Sequence, residues 1–397
     1  MASYATRLES RQSARHPANR RLPPAHCLLP PAHCRLPPAH CRLPPAVCRL
    51  PSVVCRLPSA VCRLLLPPAA SLLLLLLLTG PLVRAQGNAW KRQSTGTLAW
   101  LHSLFFLDQN RGWAVGSRGA LLFTNDGGQS WKAKPRPAED VLRDIYFSDE
   151  LNGWLVCERN IYDLKTKDEP RTYLMSTTDG GEQWKRIDIP GVDVDARLVR
   201  AIFSPGGHGW TFGEGGAVYT SHDAGANWVR LQPPTRHLLL GGIFIDNDRG
   251  WIVGAGATIL QTSDGGETWH LSHLPDAKGI RFNAASFVDN RLGWAVGSGG
   301  SVYRTVNGGR TWQAQNSRVT ADLLDVKFLD ALEGWAVGAE GTLIYTNDGG
   351  LHWSVEPSGT THPLERVFFT NRTHGWVVGF GGTILSYVRA EAPALRR

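Results

Sequence analysis

Gly-Trp pairs ending at Trp113, Trp154, Trp210, Trp251, Trp294, Trp335 and Trp376 recur along the chain at intervals of 41, 56, 41, 43, 41 and 41 residues. A fixed period of this size marks an array of one repeated unit, which cannot bury its apolar face alone and must stack on its neighbours. A second series, Trp131, Trp184, Trp228, Trp269, Trp312 and Trp353, closes an element of the form Ser/Thr-x-Asp-x-Gly-x-x-Trp, with Asn at one site. Together the two series absorb 13 of the 15 tryptophans, so any account of the fold has to begin with the repeat.

Within the first unit, Leu101 to Asp108 reads as a strand, Gly112 to Gly116 as a second, Ala120 to Thr124 as a third and Ser130 to Lys134 as a fourth. Gly, Asn and Asp punctuate them. Four short antiparallel strands in about 40 residues describe a propeller blade, and no apolar stripe of helical period competes with that reading. In Thr124-Asn125-Asp126-Gly127-Gly128-Gln129-Ser130-Trp131 the Asp carboxylate can accept backbone N–H bonds across a turn while Gly supplies positive φ. Asp179, Asp223, Asp264 and Asp348 repeat the position, and Asn307 fills it with an amide oxygen able to accept the same bonds. Asp223-Ala224-Gly225 loses the first glycine and keeps the second.

Charge divides the chain. Residues 1–85 hold 11 Arg, one acid and six of the seven cysteines; the remainder has 31 basic against 33 acidic residues. The basic balance of +8 therefore belongs to the leader and gives no reason to expect nucleic-acid binding. Residues 1–62 contain near-copies of Arg-Leu-Pro-Pro-Ala-His-Cys, whose prolines exclude a heptad coiled coil and whose regularity is that of a low-complexity segment. A metal site or a disulfide ladder on its His-Cys pairs is the sharper but weaker alternative. Residues 63–85 follow with Arg63, an apolar run from Ala69 to Leu78 and Val83-Arg84-Ala85, the order of a secretory signal cleaved before Gln86. The expected mature chain, 86–397, retains only Cys157, which reads as a buried strand thiol.

The Ser/Thr-x-Asp-x-Gly-x-x-Trp turn is the Asp-box, or BNR repeat, found in sialidases and in non-enzymatic propellers. Paired with strands such as Gly293-Trp294-Ala295-Val296-Gly297, it resembles the photosystem II stability and assembly factor family over essentially all of the mature chain. That resemblance implies a non-enzymatic protein-binding propeller without cofactor or metal, in which the Asp-box residues are structural. The expected partner is a protein, a membrane-complex subunit or its precursor. The expected compartment is the bacterial periplasm, or the thylakoid lumen in a photosynthetic cell, with the chain acting as a monomer.

Blade count turns on Trp90, which precedes Trp113 by the same 23 residues that separate Trp131 from Trp154. The seventh unit, Leu364 to Val388, ends before its own box. The expectation is an all-β, seven-bladed ring in which Ala89 to Gln93 pairs with the last blade and removes two open sheet edges.

Aligning the inner strands on Phe106, Phe147, Phe203, Phe244, Phe287, Phe328 and Phe369 places Arg143, Arg200 and Arg366 three or four residues upstream. Arg197, Arg236, Arg281 and Arg318 lie slightly earlier, on the crossovers between blades. All seven are expected around one mouth of the central channel, as a docking field for carboxylates or, equally, as solvated loop residues partly neutralised by Asp144, Asp195, Asp325 and Glu365. The second blade carries 12 extra residues between its second and third strands. Glu158, Arg159, Tyr162, Lys165, Lys167 and Arg171 make this insertion either a partner contact or a lengthened hairpin.

The enzymatic alternative is a sialidase-like or other glycoside hydrolase or carbohydrate-binding propeller. Glycoside hydrolysis needs a placed acid and a nucleophile or base. Arg143, Arg200 and Arg366 could imitate an arginine grip on a carboxylate, but Tyr219, Tyr303, Tyr345 and Tyr387 occupy equivalent late third-strand positions and read as blade packing.

Overall fold

Every inner strand ends in a phenylalanine whose cross-strand partner is the glycine of a Gly-Trp pair. The register sets Phe106 opposite Gly112, Phe147 opposite Gly153, Phe203 opposite Gly209 and so on to Phe369 opposite Gly375. A Cβ on that glycine would lie 2.3–2.6 Å from the ring in all seven units, which is why no other residue type occurs there. The computed structural model describes residues 90–389 apart from 165, 167, 168, 190–195, 205, 273, 275, 276 and 278. The leader and signal segments expected over 1–85 lie outside the described residues, as do Lys165, Lys167 and Asp195.

The described strands form seven four-stranded antiparallel sheets. Blade one uses Leu101–Phe106, Gly112–Gly116, Leu121–Thr124 and Lys132–Ala133, close to the spans expected from sequence. Blades two to six likewise take their strands in chain order, beginning at Val141, Leu198, Leu239, Phe282 and Leu323. Blade seven takes Leu364–Phe369, His374–Gly379 and Ile384–Val388 from the end of the chain and Trp90–Arg92 from its start. Trp90 pairs with Tyr387, Lys91 with Ser386 and Arg92 with Leu385, so the ring closes as the tryptophan spacing requires.

Blade-to-blade adhesion comes from the same residues. The Gly-Trp tryptophan of one blade stacks on the phenylalanine of the next, with ring centroids 3.6 Å apart for Trp376–Phe106, 3.5 Å for Trp210–Phe244 and 3.4 Å for Trp294–Phe328. The box tryptophan then meets that phenylalanine edge-on, at 5.9 Å for Trp131–Phe106 and 5.8 Å for Trp353–Phe328. Trp90 meets Phe369 in the same way, at 5.8 Å and 84°. It therefore supplies the seventh blade's missing box tryptophan in both register and packing.

The joint between blades six and seven departs furthest from this clasp, although Trp113, at the joint between blades one and two, also has a buried indole N–H without a partner. In four other joints the indole N–H donates to a box glycine carbonyl of the next blade, as Trp294 does to Gly349 at 3.0 Å. Blade seven has no box, and the buried Trp335 indole N–H has no partner. Trp335 sits 6.1 Å from Phe369 instead of stacking closely, and packs on Tyr345, Tyr387 and Trp90. Tyr219 and Tyr387 are buried within their blades, and Cys157 is buried on the second blade's Gly153–Glu158 strand, where burial pushes its thiol pKa up.

Gly334→Ala tests the clash directly, because Phe328 is held between Trp294 and Trp353 and cannot retreat. Thermal unfolding should show a loss of about 1–3 kcal/mol, the usual cost of overpacking a filled core. Unchanged stability would mean that the ring has room to move.

Candidate functional site at the channel mouth

One face of the ring carries the six Asp-boxes, and their geometry repeats. Thr124 Oγ1 donates to Asp126 Oδ1 at 2.8 Å and accepts from Gly128 N at 2.9 Å, while Asp126 Oδ1 accepts from Ser130 N at 2.9 Å. Asp179, Asp223, Asp264 and Asp348 make the same bonds. Asn307 does so through its amide oxygen, accepting from Thr311 N at 3.0 Å. Ala224, at the lost glycine, holds φ 56°, a left-handed conformation that costs a non-glycine residue energy. Bonds from Ser130 lower the Asp126 pKa to about 2, and those from Asn227 do the same for Asp223. At Asp264, partial burial opposes the shift but bonds from Thr268 prevail, again giving about 2.

The opposite face carries the turns between second and third strands and the crossovers between blades. Here the inner strands, three residues before the shared phenylalanine, bring Asp144, Arg200, Asp325 and Arg366 to the channel. Arg366 reaches Asp144 at 2.7 Å, and Arg200 lies 3.5 Å from Asp325, so blade seven is tied to blade two and blade three to blade six. Asp144 also accepts from Ser103 Oγ at 2.6 Å and Ala201 N at 3.2 Å; Asp325 accepts from Val367 N at 3.0 Å. Burial, then the neighbouring Arg366 charge, lowers the Arg200 pKa, but a guanidinium remains protonated.

These four charges form a belt between two cavities. The upper, of about 140 Å³, is bordered by His102, Arg143, Asn283 and Glu365 as well as by Arg200 and Arg366. The lower, of about 240 Å³, continues toward the Asp-box face past Phe105, Tyr146 and Lys327. Burial, with Arg143 nearby, lowers His102 to a pKa of about 3, so its ring is neutral. Burial raises Glu365, against the opposing bond from Trp100.

Around this mouth the arginines are already employed. Arg143 meets Glu158 at 2.5 Å, Glu158 meets Arg171 at 2.7 Å, and Arg171 lies 3.4 Å from Glu214, which Arg197 approaches at 3.3 Å. This chain of ion pairs joins blades two and three. Arg281 pairs with Asp322 at 2.8 Å. Arg236 and Arg318 are exposed and make no ion pair among the described residues; Arg318 also holds φ 64°. The second-blade insertion lengthens its hairpin, since Glu158 pairs with Thr172 and Arg159 N donates to Arg171 O. Beyond that, Arg159 lies over the Tyr173 ring and Tyr162 is 88% exposed.

An aromatic cluster beside the mouth has no counterpart in the sequence reading. Trp100 and Phe380 are 38% and 39% exposed, with ring centroids 5.3 Å apart, and Trp100 Nε1 donates to Glu365 at 2.9 Å. The one sequence signal was negative: Trp100 belongs to neither tryptophan series. Among the described residues, no three His, Cys, Asp or Glu side chains are placed to hold a metal ion, and no helix is long and apolar enough to cross a membrane.

Fold and face together define an Asp-box propeller whose channel mouth is ringed by arginine–carboxylate pairs. The chain belongs to the family described as Photosynthesis system II assembly factor YCF48, whose model matches residues 82–169, 135–238, 231–320 and 314–388 in overlapping segments. Among solved structures it is similar to YCF48 from Cyanidioschyzon merolae, at 21% identity over 76% of this chain and 98% of that one, with a TM-score of 0.61. YCF48 bound to D1 peptide is similar at 21% identity over 77% and 96% of the two chains, with a TM-score of 0.63. A GH74 xyloglucanase from Xanthomonas campestris shares the fold at 12% identity, over 78% of this chain and 55% of that one, with a TM-score of 0.60. Comparison with curated proteins finds no match.

Two outcomes follow from these contacts. Lowered Asp-box pKa values contribute stability that is present above about pH 4 and is lost as pH falls through about 2. Converting Asp126, Asp223 and Asp264 to Asn, as nature has done at Asn307, should flatten the stability loss between pH 4 and pH 2 in urea titrations; parallel curves would contradict it. Arg200→Met should cost roughly 3 kcal/mol by leaving Asp325 uncompensated, and adding Asp325→Asn should recover much of that. Equal stability of all three proteins would show the belt to be energetically idle.

Proposed function

We propose that this chain is a non-enzymatic, exported propeller that binds an acidic segment of a membrane-complex subunit, or of its precursor, on the channel-mouth face and assists assembly of that complex. It acts in the bacterial periplasm, or in the thylakoid lumen where the host is photosynthetic. The family match over residues 82–388 carries the reading, and a similar structure holding a D1 peptide supports a protein partner. Support for the face comes from the crossover arginines Arg236 and Arg318, which are exposed and hold no ion pair among the described residues.

The state of the carboxylates argues for binding and against glycoside hydrolysis. A hydrolase needs one acid held protonated and a second free to attack or to activate water. Asp144, Asp325 and Glu158 are each committed to an arginine, and Glu365 accepts from Trp100. Of the third-strand tyrosines, Tyr219, Tyr303 and Tyr387 are buried and Tyr345 is half-buried against Trp335.

Because Arg143, Arg200 and Arg366 hold internal pairs, reversing them would place carboxylates beside Glu158, Asp325 and Asp144 and damage the ring. Of the seven arginines expected at the mouth, Arg236 and Arg318 are the ones a partner can engage without breaking an internal pair among the described residues. Affinity purification from solubilised membranes with the Arg236→Glu/Arg318→Glu variant should recover the partner several-fold less than the wild-type chain, with unchanged melting temperature. Equal recovery would remove these arginines from the site, and turnover of a fluorogenic sialoside or xyloglucan oligosaccharide would favour the enzyme reading.

A further inference from the structure

Two aromatic departures from the repeat, Trp100 and Phe380, meet at the junction of blades seven and one, beside Arg118. Where the crossover enters the inner strand, blade one carries Trp100; the equivalent positions hold Val141, Arg197, Leu238, Arg281, Asp322 and Pro363. Where the turn after the second strand begins, blade seven carries Phe380, against Ser117, Glu214, Ala255, Ser298 and Ala339 elsewhere. At the next position in that turn Gly215, Gly256, Gly299 and Gly381 take the left-handed conformation freely, while blade one carries Arg118 with φ 55° and blade six Glu340 with φ 57°. Six other blades fold without an aromatic at the Trp100 position, so blade packing does not require it.

The cluster is built as a fixed surface. Trp100 N accepts its place from Ser117 by donating to Oγ at 3.0 Å, and Ser117 N donates back to Trp100 O at 2.8 Å. Ala99 O accepts from Gly382 N at 2.7 Å, which ties the segment to the Phe380 turn. The indole is oriented by Glu365 and lies 5.3 Å from His102; His362 flanks Phe380 at 5.2 Å. Against these rings lies a cavity of about 530 Å³, bordered by Leu98, Trp100, Phe380, Arg118 and Arg136. Leu98 is 88% exposed. Pre-ordered aromatic surface with a charged edge is the composition of an interface anchor, because little conformational entropy is lost when it is covered.

We infer that this cavity takes an apolar or aromatic side chain of an acidic peptide segment, with Arg118 receiving a neighbouring carboxylate. Charge selects the occupant: Glu365 is occupied by the indole, Glu139 is bound to Arg136 at 2.9 Å, and Arg118 makes no ion pair among the described residues. The inference rests on the protein-binding reading above and assigns the anchor within it.

Fluorescence anisotropy tests it on the intact folded chain with three labelled peptides: Glu-Asp-Phe-Asp-Glu, Glu-Asp-Ser-Asp-Glu and Lys-Lys-Phe-Lys-Lys. The acidic Phe peptide should bind about tenfold more tightly than the other two, a difference of about 1.4 kcal/mol. Trp100→Ala and Phe380→Ser should each abolish that preference while leaving the melting temperature unchanged, and Arg118→Glu should remove the preference for acid over lysine. Equal binding of the three peptides, or a Trp100→Ala chain that keeps the Phe preference, overturns the inference. Membrane affinity purification separates it from the broader reading. If the wild-type and Trp100→Ala chains recover a partner equally, the anchor fails and the binding reading stands. If the peptide preference holds but the wild-type chain recovers no membrane protein, the anchor stands and the assembly reading fails.

Discussion

Seven phenylalanines, each lying over a glycine and gripped by two tryptophans, are what the structure depends on. Each sheet's strand ladder stops at its own blade, and the hydrogen bonds that cross between blades, such as Gly382 N to Ala99 O at 2.7 Å and Ala201 N to Asp144 at 3.2 Å, are isolated ones. The join is made where a tryptophan stacks on the next blade's phenylalanine at 3.4–3.6 Å in the best-formed cases, and where the box tryptophan meets the same ring at its edge. Large aromatic areas buried in offset and edge-on contacts explain how a ring with one cysteine after residue 85 needs no disulfide. The Asp-boxes serve this clasp: they fold the box tryptophan back onto the ring and, in several joints, offer a glycine carbonyl to the neighbouring indole.

Closure uses the same grammar with one element missing. Trp90 reproduces the box tryptophan's contact with Phe369, yet the N-terminal strand brings no turn carbonyl for the Trp335 indole, which is left buried and unpaired. Trp113 shares that unpaired indole yet stacks at 3.9 Å, so it is the 6.1 Å spacing of Trp335 from Phe369 that makes the joint between blades six and seven the looser one. Strand pairing between the two ends of the ring compensates by removing both open edges.

What was readable from sequence follows from this physics. Period, blade count and strand positions were legible because the clasp needs Gly, Trp and Phe at fixed spacing, and even the stray Trp90 fell into register. The arginine field was legible only as an address. Spacing placed Arg143, Arg200 and Arg366 at one mouth, but it could not show that Arg200 and Arg366 reach across the channel to Asp325 and Asp144, since those partners lie two or three blades away. Glu158, read as part of a charged insertion, proves to be a buried hub between Arg143 and Arg171. Trp100 and Phe380 come from opposite ends of the repeat array, and only ring closure brings them together. Lys165 and Lys167 lie outside the described residues.

The account divides the molecule by face: the Asp-box side holds the ring together and the channel-mouth side binds. Hydrogen exchange of the chain, alone and with the solubilised membrane complex it recovers, measures that division directly. The account predicts slowed exchange at 117–119, 136–143 and 380–382 on the channel-mouth face and no change in the Asp-box turns at 125–130 and 263–268. Protection confined to the Asp-box turns would contradict it.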